Sequence, residues 1–316
     1  MTAEGAVVPE GGGALLVDKP EGPTSHDVVR WARRSLGVRR IGHTGTLDPF
    51  ASGLLVLLVG PVTRLAEYLL ALPKRYEARA RLGIRTDTHD AKGKTVSVQD
   101  LGAELTQEQI EAELATFEGR GQQVPPQFSA KKVGGERMYK KARRGDTVRL
   151  PPVDVEIFEI RLTDFAPPEI GFTMACSSGT YVRAIARDLG DTLGVGAHLT
   201  ALRRTAVGGF SVDGAVPGEV LREGPLPQAV HWVEPAAVVG HLRTIRVAVD
   251  AALDLRQGRA IPWSEEADPG SNEAEPGSGE ASPGIGDPVA VVDEKGLIGI
   301  AEIRNGHLAP KKILVP

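Results

Sequence analysis

The chain has 316 residues, enough for one large domain and a smaller one. Its apolar fraction of 41% and charged fraction of 25% are those of an ordinary globular protein, and a single cysteine, Cys176, excludes a disulfide framework and a Cys-rich zinc site. The net charge of −4 conceals a segregation: residues 264–287 hold seven acids and no Lys or Arg, so the rest of the chain is net positive.

Residues 1–13 read as a disordered start with no basic patch and apolar core of a secretory signal. "LLVDKP" (15–20) predicts a short buried strand closed by a proline turn. Residues 24–36 predict a helix capped by Thr24 or Ser25, with Val28 and Ala32 inward and Arg30, Arg33 and Arg34 on another face. "GHTGTLDPFASG" (42–53) is a glycine-punctuated loop running into an apolar strand at 54–59, too short to span a membrane. A helix is expected at 63–71. Residues 75–84 alternate as a half-buried strand, with Tyr76, Ala78, Ala80, Leu82 and Ile84 on one face. "TDTHDAKG" (86–93) is turn chemistry.

Thr106 and Gln109 form a capping box ahead of a helix containing Ile110, Leu114 and Phe117. "VPPQFSAKKVGG" (124–135) predicts an extended loop outside any ladder, followed by a short basic helix at 136–144. Runs at 153–162 and 170–176 read as paired strands, and 180–193 as an amphipathic helix with Val182, Ile185, Leu189 and Leu193 inward. Residues 14–240 thus read as one α+β domain with a mainly antiparallel sheet. Residues 243–316 look separate, with strands at 244–249, 288–293, 297–303 and 311–315 and a helix near 250–257. The acidic 264–287 segment reads as a disordered insert.

Two basic stretches bear on partners. Residues 30–40 carry Arg30, Arg33, Arg34, Arg39 and Arg40 with no acid. Residues 126–150 carry eight Lys or Arg against two acids, among them Lys131, Lys132, Arg137, Lys140, Lys141, Arg143 and Arg144. A polyanion such as nucleic acid could be held by both patches; solvated charged faces are the bland alternative.

Asp48 precedes Pro49, and Asp-Pro is a common turn-forming pair, so a structural role competes with that of a nucleophile or general base. Arg183 falls in the first turn of its helix, where the dipole disfavours a cation. It either snorkels to solvent or has an anionic partner, for which Asp48 is a candidate. Tyr76 is a core tyrosine or an aromatic that stacks on a base. His43 is a satisfied loop histidine, a general acid or a wedge. The phosphate loop GxxxxGK[ST], HExxH and the zinc deaminase signature are absent, so chemistry without metal or cofactor is expected.

Five blocks occur in a recognisable order: "DKPEGPTSHDVV" (18–29), "GHTGTLDPFASGLL" (42–55), "VPPQFSAKKVGGERMYKKARRG" (124–145), "CSSGTYVRAIARDLG" (176–190) and "GAHLTALRRTAVGGF" (196–210). In these the chain resembles the bacterial TruB-family tRNA pseudouridine-55 synthases along nearly its whole length. The resemblance implies a catalytic domain of pseudouridine synthase type that isomerises uridine-55 in the T-loop of tRNA by base flipping. It implies a catalytic role for Asp48, with Arg183 as its charge partner and Tyr76 against the target base. It also implies that His43 enters the space the base leaves, that Tyr181 and Leu202 line the uracil pocket, and that Lys19 and Pro20 are structural. Residues 243–316 would be a PUA-like RNA-binding domain reaching the acceptor stem. Ser178 stands where many relatives carry a basic residue. A cytoplasmic monomer with tRNA as partner is expected. The rival reading, a tRNA-binding chaperone without turnover, predicts binding equally well but no chemistry at the uridine.

Overall fold

The computed structural model describes residues 7–102, 105–127, 132–133, 136–137, 150–228, 230–264 and 286–314. The first strand, β1 (Gly13–Lys19), leads to helix α1 (Ser25–Leu36). Thr24 caps that helix: its hydroxyl accepts the Asp27 N–H at 3.1 Å, and the Asp27 carboxylate accepts the Thr24 N–H at 2.8 Å. β2 (Ile41–His43), β3 (Ser52–Val59), a 3₁₀ turn (Gly60–Leu65) and α2 (Ala66–Leu70) follow. Every β3 side-chain position from Gly53 to Val59 is buried, which explains its unbroken apolar run. Burying each leucine of that run contributes roughly 1.5–3 kcal/mol.

β4 (Lys74–Leu82) alternates as expected, with Ala78, Ala80 and Leu82 buried, and Lys74 joins the same face. β5 (Ile84–Thr86) and β6 (Thr95–Val98) form a hairpin beyond it. The predicted capping box opens α3 (Gln107–Ala115), which precedes β7 (Gly119–Gln123). The expected loop and basic helix are corrected where they can be seen. Lys132–Val133 (β8) and Glu136–Arg137 (β9) pair antiparallel, as Gly-Gly between two short segments favours. The remainder of the expected basic helix lies outside the described residues, as does residues 265–285 of the acidic segment.

β10 (Val153–Ala166) and β11 (Glu169–Cys176) pair antiparallel, then come α4 (Val182–Thr192) and β12 (Ala197–Val207). β13 (Phe210–Ser211), β14 (Val216–Pro217), α5 (Gly218–Glu223) and α6 (Pro235–Val238) close the first unit. Its mixed sheet runs β14-β1-β3-β12-β4-β11-β10-β7, with β2 added on β3 and β13 on β12. Most pairs are antiparallel; β3–β12 and β1–β14 are parallel. The fold is α+β.

Gly53 shows why β3 and β12 can lie so close. It has φ 101° and pairs with Arg204; a Cβ there would sit 2.2 Å from the Arg204 carbonyl oxygen. Helix α4 lays Val182, Ile185 and Leu189 against Phe172, Met174 and Leu199 of the sheet. A second sheet comprises β15 (Thr244–Arg246), β16 (Ile261–Pro262), β17 (Pro288–Asp293), β18 (Gly296–Arg304) and β19 (His307–Ile313), in the order β15-β17-β18-β19-β16, with α7 (Val249–Arg256) packed on it. The expected strand at 244–249 is shorter because α7 begins at Val249. Ala290, Ile300 and Leu314 of this unit share a core with Leu54 and Leu58 of β3.

Candidate active site

The loop between β2 and β3 is held in shape by ties to its surroundings. Ser25 Oγ accepts the Leu47 N–H at 2.9 Å and donates to the Leu47 carbonyl at 3.2 Å. The Gly45 carbonyl accepts Arg204 Nη2 at 3.1 Å. Asp48 meets both readings made of it, with different parts of the residue. Its carbonyl accepts the Ala51 N–H at 3.1 Å, closing a turn with Pro49 in the second position. Its carboxylate stays free of that turn and receives Arg183 Nε at 3.0 Å.

Arg183 lies in the first turn of α4 and its side chain is only 4% exposed, which rules out snorkelling. A buried cation at the positive end of a helix needs compensation. Asp48 supplies part of it. Asp90 supplies more, its Oδ2 lying 3.4 Å from Nη1, and the Thr88 carbonyl accepts Nη1 at 2.9 Å. Asp90 is itself fixed, since its Oδ1 accepts the Thr88 hydroxyl at 2.7 Å and the Lys92 N–H at 3.0 Å. Burial pushes the Asp48 carboxyl above the usual carboxylate range; Arg183 opposes that push and Asp90 adds to it. Arg183 is therefore a counterweight to desolvation, and the carboxyl as a whole stays raised.

This carboxylate borders a cavity of about 360 Å³. Tyr76, Tyr181 and Leu202 line it with Asp48 and Arg183, so five predicted site residues converge. Tyr76 comes from β4 and Leu202 from β12, while Tyr181 occupies the N-cap position of α4 and donates its N–H to Gln123 Oε1 at 2.8 Å. Burial raises the Tyr76 phenol, against the opposing field of Arg204 directly across the β4–β12 pair.

His43 is not among the lining residues. It sits at the end of β2, packed edge-on against His26 with ring centroids 5.7 Å apart. Its Nδ1 accepts the Gly45 N–H at 3.3 Å, and burial, His26 and Arg204 bring its pKa down to about 4, so it is a neutral imidazole. Lys19 is fully buried with Nζ on the Pro20 carbonyl at 2.8 Å and the Pro23 carbonyl at 2.9 Å, a strap for the turn after β1. Burial lowers its pKa to about 8.

None of the α1 arginines lines the cavity. Arg30 pairs with Asp27, Arg33 donates to the Ile41 carbonyl at 2.9 Å and Arg40 to Thr63 Oγ1 at 2.9 Å; Arg34 and Arg39 are exposed. The side chains of Lys131, Lys132, Arg137, Lys140, Lys141, Arg143 and Arg144 lie outside the described residues.

Three site residues escaped the sequence reading: Asp90, Lys74 and Arg204. Lys74 and Arg204 carried a usable signal, for each stands two residues from a residue already assigned to the cavity, Tyr76 or Leu202, on a strand of period two. Asp90 sat in a segment rightly read as a turn, and nothing local ties that turn to a helix more than ninety residues away. Among the described residues no cluster of three or more His, Cys, Asp or Glu could hold a metal ion, and no helix is long and apolar enough to cross a membrane.

Residues 33–182 match the N-terminal domain of TruB family pseudouridylate synthases, and residues 183–226 match the tRNA pseudouridylate synthase B C-terminal domain. The tRNA pseudouridine synthase B of Opitutus terrae is 47% identical over 216 residues, covering 68% of this chain and 89% of that protein. Its counterpart in Burkholderia lata is 39% identical over 304 residues, covering 96% of this chain and 90% of that one. Among solved structures, a chain of a Cbf5–Nop10–Gar1 complex superposes with a TM-score of 0.70 at 24% identity, over 96% of this chain and 85% of that one, a likeness of fold.

Proposed function

The chain belongs to the TruB family of pseudouridylate synthases, and from that premise we propose that it converts uridine-55 in the T-loop of tRNA to pseudouridine with Asp48 as the catalytic carboxylate. The observation that carries this reading is the Asp48 carboxylate at the edge of a half-open cavity, 3.0 Å from a buried guanidinium and sharing that cavity with Tyr76.

The reaction breaks the bond from ribose C1′ to uracil N1 and forms one from C1′ to C5; the proton on C5 departs and N1 gains one. No electrons are exchanged with an outside partner, so a partly desolvated carboxylate in the pocket would suffice to initiate it. Extruding the uridine from a folded loop costs roughly a few kcal/mol, and stacking on Tyr76 offsets about 1–3 kcal/mol of that. Leu202 and Tyr181 close the walls so that free uracil turns over without escaping. His43, a neutral imidazole outside the cavity lining, would occupy the position that the base vacates. The five-stranded C-terminal unit would act as a PUA-like module on the acceptor stem of the tRNA, to which a monomer would bind.

The test is a T-arm transcript carrying tritium at uridine C5. Wild type should release the label and leave the RNA mass unchanged. Asp48→Asn should bind the transcript within about twofold of wild type and release none. Label release by Asp48→Asn at the wild-type rate would remove Asp48 from the chemistry, and no release by wild type would leave a tRNA-binding protein without turnover.

A further inference from the structure

Two groups of charges of different balance border the cavity. In one, Arg183 is balanced by Asp48 and Asp90. In the other stand Lys74 and Arg204, buried at 6% and 2% exposure, and among the described residues neither forms an ion pair. Both line the cavity. Their backbone positions put them on one face: Lys74 and Tyr76 are two residues apart on β4, and Arg204 is the cross-strand partner of Tyr76.

Each cation has capacity to spare. Lys74 Nζ donates to the carbonyls of Leu70 at 2.6 Å and Leu72 at 2.5 Å, which caps the end of α2 and leaves a third hydrogen. Arg204 donates Nε to the Leu54 carbonyl at 2.8 Å and Nη2 to the Gly45 carbonyl and also hydrogen-bonds the Tyr76 phenol, which still leaves part of its five N–H donors unused. Two buried positive groups without a carboxylate between them are costly unless an anion arrives. Burial and the field of Arg204 lower the Lys74 ammonium to about 8, the mark of a cation waiting for a counter-charge. The same cavity is lined by Ser177, Ser178 and Gly179, small and half-buried or exposed, which leaves it open to a polymer backbone.

We propose that Lys74 and Arg204 form a phosphodiester subsite that holds the backbone linkage adjoining the flipped nucleotide. This rests on the functional reading above. The subsite fixes the ribose while the base is loose: with the linkage clamped in the cavity, C1′ stays in reach of Asp48 as the uracil rotates.

The experiment measures RNA affinity, so it does not depend on turnover. T-arm hairpins are made with a neutral methylphosphonate at the linkage 5′ or 3′ to the target uridine, or at a linkage three nucleotides away, and their Kd is measured for wild type, Lys74→Gln and Arg204→Lys. Wild type should lose about tenfold at one of the two adjoining linkages, the loss of one charge-assisted hydrogen bond, and no more than about twofold at the remote one. Lys74→Gln should bind the unmodified hairpin about tenfold more weakly and show a methylphosphonate penalty well below that of wild type, with Arg204 alone left to hold the linkage. Arg204→Lys keeps the charge and should keep the wild-type sensitivity. Equal losses at all linkages in wild type would overturn the proposal without any variant. So would a folded Lys74→Gln that retains the full methylphosphonate penalty. Tritium release is scored in parallel: its absence in wild type refutes the catalytic reading and leaves the affinity result standing on its own.

Discussion

Replacing Arg183 with lysine isolates the geometry of the guanidinium from its charge. Arginine reaches Asp48 through Nε at 3.0 Å while Nη1 serves Thr88 at 2.9 Å and Asp90 at 3.4 Å, so one planar group bridges two carboxylates. An ammonium is a point charge on a shorter fork and cannot hold both. The variant forfeits at least one charge-assisted hydrogen bond, worth about 1.5–3 kcal/mol, or roughly 10–150-fold in rate if Asp48 is the group released. With its counterweight weakened, the desolvated Asp48 carboxyl rises further above its ordinary value. A carboxylate that must be ionised loses activity as pH falls through its pKa, so the acid limb of the pH–rate profile should move toward neutral. The assay is single-turnover tritium release across a pH series, paired with RNA binding. Affinity should stay within about twofold. An unmoved acid limb, or a loss carried wholly in Kd, would refute the reasoning that Arg183 acts through Asp48.

Gly53→Ala should destabilise the protein by about 2–4 kcal/mol in thermal or denaturant unfolding, because the new Cβ meets the Arg204 carbonyl at 2.2 Å in a backbone with φ 101°; a change below about 0.5 kcal/mol would show that β3 and β12 part easily. RNA affinity should weaken as pH rises through about 8, where Lys74 loses the proton that a phosphate needs, while Cys176, held near 11 by burial, does not yet ionise; Lys74→Gln should flatten this dependence. His43 should remain neutral at pH 6, which imidazole resonances in an NMR titration would check against its pKa of about 4. Binding should fall linearly with log salt, as phosphate contacts require, and a flat response would remove the basic patches from recognition.

Local signals made much of the fold readable. The Thr24 and Thr106 caps, the alternation of β4, the paired strands β10 and β11 and the stripe of α4 all follow from period and capping chemistry, and all are present. The buried β3 was legible because a strand covered on both faces is apolar throughout. Long-range facts were less so. That Asp48 meets Arg183 is signalled in the sequence only by a cation in the first turn of a helix, and the geometry bears out the pairing; that Asp90 joins them depends on Leu199 pairing with the 86–93 turn, which no window of sequence contains. β12 was visible only as a motif, since Arg203, Arg204 and Thr205 interrupt its apolar pattern. Position 136–137 was misread because a dense run of basic residues resembles a solvated helix, whereas the glycine pair before it favours a turn.

The doublet Arg203–Arg204 has a use beyond either residue alone. Successive side chains of a strand point to opposite faces, and here Arg203 grips Asp18 at 3.0 and 2.7 Å on β1 while Arg204 reaches the Gly45 carbonyl. Slipping the central strand by a single step would exchange the two guanidiniums, stranding Asp18 and unfastening the Asp48 loop together. One tandem pair of arginines thus serves as an alignment key for the sheet, and a one-residue deletion within it should release both ends at once.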